Sequence, residues 1–331
     1  MKLLFHQDHR LLFGVVFGGF VVLSAVIAVG PALWVNAHNA PLPGSAPLTT
    51  EEMDGLGVYV AEGCLFCHTQ QVRPLPQDRP YGRPSVPGDY ARLERLEVWR
   101  APPALLGTER TGPDLSDIGH RQPSAVWHYI HLYQPRAVVP ASIMAALPWL
   151  FRIEESPAPG AVIVPIPAPY APARGSVVAT ARAQALVAYL LALKQPSLPG
   201  TAGAQGAATA QSADGGAAEA GAVTYASRCA ACHQVSGKGV PGAFPPLAGD
   251  PVVTATDPTE QIRTVLFGRK GSVIGGVTYP GEMPAWAPQL SDGEIAAVIN
   301  HERSTWGNHA PAVQPADVAA LRRRGGGAGH D

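Results

Sequence analysis

The sequence is poor in the residues that usually carry redox, metal or charge-driven chemistry. Its 331 residues include only four cysteines and four methionines, and charged residues make up 15%. Lysine and arginine (24) almost balance aspartate and glutamate (25), which leaves a formal net charge of −1. Without a basic excess to neutralise phosphates, nucleic acid is not an expected partner. Glycine (36) and proline (34) are plentiful and clustered, which indicates linkers and loops between domains.

All four cysteines lie in two motifs of one form, Cys64-Leu65-Phe66-Cys67-His68 and Cys229-Ala230-Ala231-Cys232-His233. Two thiols on one helical turn can form thioethers to the two vinyl groups of a porphyrin, and the adjacent histidine can ligate its iron. The sequence therefore predicts two covalently attached haem c groups. The expected attachment residues are Cys64, Cys67, Cys229 and Cys232, and the expected proximal iron ligands are His68 and His233.

Three other interpretations of these motifs remain open: a zinc site, a redox dithiol, and one haem beside a degenerate second motif. Zinc needs four ligands, and two cysteines with one neighbouring histidine form an unusual set. A redox dithiol does not require the trailing histidine that follows both motifs. If both motifs bind haem, no thiol is left for a disulfide, an iron–sulfur cluster or a thiolate copper centre.

The N-terminal region contains an uncharged apolar stretch, residues 11–29, that is long enough to cross a bilayer as a helix. Lys2 and Arg10 precede it, so we expect the N-terminus in the cytoplasm and the haem domains on the periplasmic side of the inner membrane. Residues 1–36 are therefore interpreted as a transmembrane anchor. A cleaved signal peptide is the alternative, although the apolar run exceeds a normal signal-peptide core.

The expected fold class is mainly α, with one N-terminal transmembrane helix followed by two class I cytochrome c domains joined by a flexible Ala/Gly linker. Residues 49–195 form the first domain: Thr49 and Glu52 indicate a capping box, and a closing helix stops at Pro196. Residues 196–221 are the linker, because they have almost no apolar bulk. Residues 222–310 repeat the plan, with Ser291 and Glu294 as another capping box, and 311–331 read as a mobile tail.

Methionine is the usual distal ligand in class I cytochromes c and raises the haem potential. Met1 is the start residue and Met53 precedes the first motif, so Met144 and Met283 are the expected distal ligands. Alternatively these methionines are core residues, and the distal position is empty or held by a histidine. The competing histidines are His120, His128, His131 and His301.

A proximal histidine usually donates its other ring N–H to a backbone carbonyl, which fixes the orientation of the ring. We expect Pro113 to accept this bond in the first domain, and Pro245 or Pro246 to accept it in the second. Arg73, close behind the first motif, is a candidate partner for a haem propionate. The alternative for Arg73 is an ordinary surface arginine.

Residues 63–150 resemble the mono-haem subunit II, the O subunit, of cbb3-type cytochrome c oxidases. The resemblance is carried by Gly63–Gln70 with Arg73-Pro74, by Thr108–Leu115, and most clearly by Trp127–Pro140 leading to Met144 and Leu150. The chain departs from that family in three respects. First, Ala145 follows Met144 at the position where the family usually has proline. Second, residues 157–174 are a Pro/Ala-rich insertion. Third, the family's subunit has no counterpart of the second haem domain. That domain is similar to the small cytochrome c modules of di-haem oxidase subunits and alcohol dehydrogenases.

The resemblance implies an electron-transfer subunit that passes electrons from a soluble cytochrome c or similar donor to a separate haem–copper subunit. A di-haem cytochrome subunit is a further candidate partner. By analogy, the second haem would receive electrons and the first would pass them on, with the linker allowing the second domain to move.

The chain has one span and no transmembrane histidine set, so we expect no oxygen-reducing site on it. The alternatives are a cytochrome subunit of a periplasmic dehydrogenase and a free-standing membrane-anchored carrier. A haem enzyme fits least, because it needs an open iron position.

Overall fold

The computed structural model describes residues 8–38, 40–91, 106–199 and 216–325. Within these ranges the chain is mainly helical, with two short antiparallel sheets. Most of the predicted linker (200–215) and the residues beyond 325 lie outside the described residues.

The N-terminal apolar stretch forms a helix that begins after Asp8, whose carboxylate accepts the backbone N–H groups of Arg10 and Leu11. It comprises α-helix His9–Ser24, a π-helical turn Ala25–Val29 and α-helix Gly30–His38. The most apolar 18-residue window of the segment His9–Trp34 has a mean hydropathy of 2.6, and none of that window is buried against the rest of the protein. Its length and composition are those of a membrane span near the N-terminus.

The first haem motif lies between a leading helix, Thr50–Ala61, and a distant closing helix, Ala181–Ala192. The predicted capping box of the leading helix is confirmed: Thr49 and Glu52 exchange side-chain-to-backbone hydrogen bonds. Between the two helices lie helices Ile118–Arg121 and Ala125–Tyr133. The 3-10 turns of this domain are Cys64–Phe66, Pro76–Tyr81, Pro87–Asp89, Pro135–Ala137 and Pro148–Leu150.

Gly55 allows the leading and closing helices of the first domain to cross in direct contact. A Cβ atom on Gly55 would lie well inside van der Waals contact with the backbone carbonyl of Ala185. Next to the crossing, the rings of Tyr59 and Tyr189 pack edge to face with centroids 5.5 Å apart. Gly57 is also on the leading helix, but a Cβ atom there would meet no neighbouring atom within 4 Å.

A small sheet precedes the closing helix, and the sequence analysis did not predict it. Strands Phe151–Glu154, Ile163–Val164 and Ser176–Ala179 form an antiparallel sheet with the last strand in the centre. The Pro/Ala-rich insertion, residues 157–174, lies between the strands Phe151–Glu154 and Ser176–Ala179 and contains the outer strand Ile163–Val164. Val164 and Val177 are buried in the first apolar core, so the sheet closes one side of that core.

The second domain repeats the helix pair. Its leading helix, Ala217–Thr224, continues through a π-helical turn, Tyr225–Cys229, into the short helix Ala230–His233. The closing helix is Asp292–Ser304, and its predicted capping box of Ser291 and Glu294 is confirmed. Between them lie helices Pro251–Thr254 and Thr259–Phe267 and a hairpin of strands Arg269–Ile274 and Val277–Met283.

The second helix pair also crosses at a glycine, because a Cβ atom on Gly221 would overlap the carbonyl of Ala297. Gly221 and the first half of its helix belong to the segment that the composition predicted to be linker. The linker prediction is therefore wrong for residues 217–221, which are helical. Residues 218–220 are exposed, whereas Gly221 is buried, because the close helix contact needs a small residue at that position.

The prediction of a mobile tail is wrong for helix Pro315–Arg324. Val313 and Val318 are fully buried in the second apolar core. At the end of the helix, Arg322 Nε lies 2.7 Å from a carboxylate oxygen of Asp292, and Nη2 donates to the carbonyl of Leu290 at 2.8 Å. Buried apolar residues and this arginine hold the segment on the second domain.

Replacing Gly55 with alanine is expected to separate the two helices of the first domain. Overpacking a close contact typically costs 1–3 kcal/mol, and here the obstacle is backbone, so we expect a loss of about 2 kcal/mol or more. The matched control is Gly57→Ala, which meets no neighbour and should be neutral or stabilising by about 0.5–1 kcal/mol through helix propensity. Thermal denaturation of the haem-loaded chain measures both. Equal stabilities of the two variants would contradict the tight crossing.

Candidate haem sites

The first motif sits in a tight turn directly after its leading helix. Gly63 adopts a left-handed conformation (φ 71°) that ends the helix, and Cys64–Phe66 then form a 3-10 turn. The backbone N–H groups of Cys67 and His68 both donate to the carbonyl of Cys64, at 3.2 and 3.0 Å. The two thiols and the histidine are thus held on one turn, as attachment of a single porphyrin requires.

The ring of His68 is held by the backbone of a loop 45 residues downstream. Its Nδ1 lies 2.8 Å from the carbonyl oxygen of Pro113. This distance is what we expect if the backbone carbonyl of Pro113 accepts the ring N–H of a proximal histidine. Gly112 lies against the other side of the imidazole, where a Cβ atom would overlap the ring. Burial lowers the pKa of His68, which favours the neutral imidazole that ligates iron.

Arg73 has a different partner from the one expected. Its Nε and Nη2 lie 3.0 and 3.1 Å from the two carboxylate oxygens of Asp78, a bidentate pair. Asp78 is buried and also pairs with Arg110 at 2.7 Å. The side-chain hydrogen bond from Arg73 holds the pKa of Asp78 well below its usual range. Arg73 therefore fixes the loop that follows the motif, and the geometry gives no support to its predicted propionate contact.

Met144 is half-buried and packs against the apolar cluster that also receives Cys64 and Leu65. Met53, in contrast, has 46% of its surface exposed on the leading helix. Of these two methionines, Met144 is the one that packs against the first apolar core. Its bond to the haem iron stays a prediction.

The competing histidines of the first domain have contacts of their own. His128 is buried with Nε2 2.8 Å from the carbonyl of Gln122, and burial lowers its pKa to about 4. His120 pairs with Asp117 at 2.7 Å. His131 stacks on Trp127 with ring centroids 4.5 Å apart, and its buried Nδ1 has no hydrogen-bond partner.

The second domain brings its four predicted site residues to one cavity. The residues Cys229, Cys232, His233 and Met283 all line it, together with Phe244, Tyr279 and Trp286. Met283 is the last residue of the second strand of the hairpin. His233 is buried, and its Nδ1 lies 2.9 Å from the carbonyl of Pro245, which selects Pro245 over Pro246. His301 instead packs against Tyr225 and Trp306.

The lining of the second cavity also includes Gln122, Arg228 and Glu302, which were not predicted from the sequence. Arg228 directly precedes the motif, so its position could have drawn attention. Gln122 belongs to the first domain, and no local pattern links it to the second motif. Glu302 is buried next to the amide of Gln261, 2.9 Å away, and burial raises its pKa to about 8.

The cavity residues fit a haem. The Nη1 of Arg228 is buried and has no hydrogen-bond partner within the part of the chain that the structure describes, and haem c carries two carboxylates that can supply one. Apolar and aromatic walls suit the porphyrin ring. Among the described residues, no group of three or more His, Cys, Asp or Glu side chains is arranged to hold a metal ion.

Replacing Met283 with leucine keeps the side-chain volume but removes the thioether sulfur. We expect the second haem to lose its sulfur-to-iron charge-transfer absorption and to fall in potential, because a methionine ligand raises the potential. Absorption spectroscopy with redox titration measures both. Met53→Leu is the matched control and should leave both haems unchanged. An unaltered spectrum in Met283→Leu would exclude Met283 as a ligand.

Comparison with protein families finds two separate matches along the chain. Residues 5–159 match the family "Cytochrome C oxidase, mono-heme subunit/FixO". Residues 216–301 match "Cytochrome C oxidase, cbb3-type, subunit III". The two matches leave out the closing helix of the first domain and most of the predicted linker.

Curated relatives are of two kinds. The cytochrome c subunit of a quinone alcohol dehydrogenase from Gluconobacter oxydans (strain 621H) is 42% identical over 121 residues, 36% of this chain and 25% of the relative. The cytochrome c subunit of gluconate 2-dehydrogenase from Pantoea cypripedii is 37% identical over 107 residues, 32% of this chain and 24% of the relative. The chain thus spans about a quarter of these relatives.

Cytochrome c-552 from Thermus thermophilus is 46% identical over 92 residues, which are 27% of this chain and 69% of that protein. The chain therefore belongs to the cytochrome c proteins. Its N-terminal region is similar to the mono-haem subunit of cbb3-type oxidases, and its C-terminal region is similar to their subunit III.

Proposed function

We propose that this chain, a cytochrome c electron-transfer subunit, serves a membrane-bound cbb3-type cytochrome c oxidase. The observation that carries the proposal is the match of residues 5–159 to the mono-haem oxidase subunit family. Within that match, the stretch Trp127–Leu150 contributes to the apolar core on which Cys64 and Met144 pack. Trp127, Val138 and Leu150 from this stretch are buried in the first apolar core.

The residues around each motif hold and shield a haem. When bound, haem c supplies an iron that takes up and releases one electron. In the first domain, Pro113 orients His68, and the apolar core around Met144 excludes water, which favours a raised potential. In the second domain, Pro245 orients His233. The Arg228 guanidinium is placed to neutralise a haem carboxylate.

The proposed partners follow from the oxidase assignment. A soluble cytochrome c or similar donor would supply electrons, and a separate haem–copper subunit would receive them, with a di-haem cytochrome subunit as a further candidate neighbour. The helix His9–Trp34 would anchor the chain in the inner membrane. Because Arg10 lies at the N-terminal end of this helix, we expect the N-terminus in the cytoplasm and the haem domains on the periplasmic side.

A second candidate is a cytochrome subunit that accepts electrons from a periplasmic dehydrogenase. The curated relatives favour it more directly than the oxidase, because several are cytochrome subunits of dehydrogenases. The region aligned with this chain is about a quarter of the length of each dehydrogenase subunit, which is the size of one cytochrome module. Such modules can be shared by complexes of different activity, so the partner has to be identified experimentally.

Extraction of the tagged chain from native membranes in mild detergent separates the two candidates. The oxidase proposal predicts co-purified haem b beside haem c, and cyanide-sensitive oxygen uptake with a reduced donor. His68→Ala should abolish that uptake, whereas His309→Ala, at an exposed histidine, should not. Haem c alone, without oxygen uptake and with a co-purifying dehydrogenase, would contradict the oxidase proposal and support the second candidate.

A further inference from the structure

The two cytochrome domains are in direct contact through the residues of the second haem motif. Trp127 of the first domain is buried, and its indole N–H donates to the backbone carbonyl of Ala231 at 3.0 Å. The side-chain amide of Gln234 donates to the carbonyl of Val138 at 3.2 Å. Ala231 lies inside the second motif and Gln234 follows it immediately. The contact is therefore made by the haem-binding turn itself.

Apolar residues of the second domain complete the core of the first. Val240, Ala243 and Phe244 have at most 4% of their surface exposed, and they belong to the same apolar cluster as Val138 and Leu150. A domain that moved freely on a tether would expose these side chains to water during each excursion, which is unfavourable. Burial in the neighbouring core therefore favours a docked second domain.

The first domain also supplies part of the second haem cavity. Gln122 lines that cavity and has 6% of its surface exposed. Its Oε1 lies 3.9 Å from the Cys232 sulfur, which stands for a thioether sulfur in the haem-loaded chain. If the domains separated, this wall would be replaced by solvent.

Two arginines, one from each domain, support a role for haem in the contact. In the part of the chain that the structure describes, Arg121 Nε and Arg228 Nη1 are both buried without hydrogen-bond partners. Burial lowers the pKa of Arg121; the carboxylates of Asp117 and Asp114 counter this effect, and the positive charge of Arg228 adds to it. A further anion would pair with these guanidinium groups, and a haem in the cavity lined by Arg228 brings carboxylates to it.

We propose that the first domain is a fixed docking partner of the second domain, that Gln122 forms a wall of the second haem site, and that Trp127 is the residue that positions the contact. The proposal needs haem in the second site but does not depend on which membrane complex the chain serves. It implies that an external electron donor reaches the second site from another side.

Hydrogen–deuterium exchange of the haem-loaded, full-length chain in detergent tests the docking. Trp127→Phe keeps an aromatic side chain but removes the indole N–H donor. We expect amide exchange to rise about tenfold or more on both sides of the contact, in residues 125–138 and 231–244, because both lose protection when the domains separate. Trp149→Phe is the matched control: its indole donates to Glu62 within the first domain, at 2.9 Å, and the contact should be unaffected.

The potential of the second haem gives a second readout. Trp127→Phe and Gln122→Ala should lower it, because water replaces a protein wall at the cavity. Gln234→Leu removes the interdomain hydrogen bond to Val138 and serves if Trp127→Phe does not fold. Unchanged exchange and unchanged potential in these variants would overturn the proposal, as would a rise in exchange confined to the first domain.

A haem assay on the same samples separates this proposal from the haem assignment. Two haems per chain with unperturbed exchange in the variants would refute the docking alone. Fewer than two haems in the unaltered chain would refute the haem assignment on which the docking rests. Failure of the chain to support oxygen uptake would affect only the proposed oxidase function.

Discussion

The close crossing of a leading and a closing helix is the constraint on which both haem sites depend. In each domain a glycine lets the helices meet backbone to backbone, Gly55 at Ala185 and Gly221 at Ala297. Each leading helix runs into its cysteine motif, so the crossing determines where the motif begins. Loops between the two helices then return to the motif and provide the carbonyls of Pro113 and Pro245 to the histidines. If the helices moved apart, the position of the motif and the orientation of the imidazole would both be lost.

Much of this arrangement could be predicted from the sequence because its signals are local. The capping boxes, the apolar faces of the closing helices and the CxxCH spacing each involve residues within a few turns of one another. The two histidine–carbonyl contacts could be anticipated as well, because a proline-containing loop follows each motif at a suitable distance. By contrast, the bond of Met144 or Met283 to iron stays a prediction, although the structure places Met283 in the cavity of the second motif.

Most of the features that the sequence did not reveal depend on contacts between distant segments. The ion pair of Arg73 with Asp78 is the exception: it is short-range, and it occupies the arginine that was expected to contact a haem propionate. Helix Pro315–Arg324 is stabilised by burial of Val318 and by Asp292, which composition alone cannot show. The contribution of Gln122 to the second cavity spans 110 residues and two domains. Small residues near Gly221 were read as linker because close helix packing and flexibility favour the same composition.

Both haem sites depend on covalent haem at both motifs of the same chain. Intact-protein mass spectrometry of the full-length chain, purified under denaturing conditions, tests this most directly, because only thioether-bound haem survives denaturation. We expect a mass equal to the polypeptide plus two haems. A mass corresponding to one haem, or to the bare polypeptide, would contradict it.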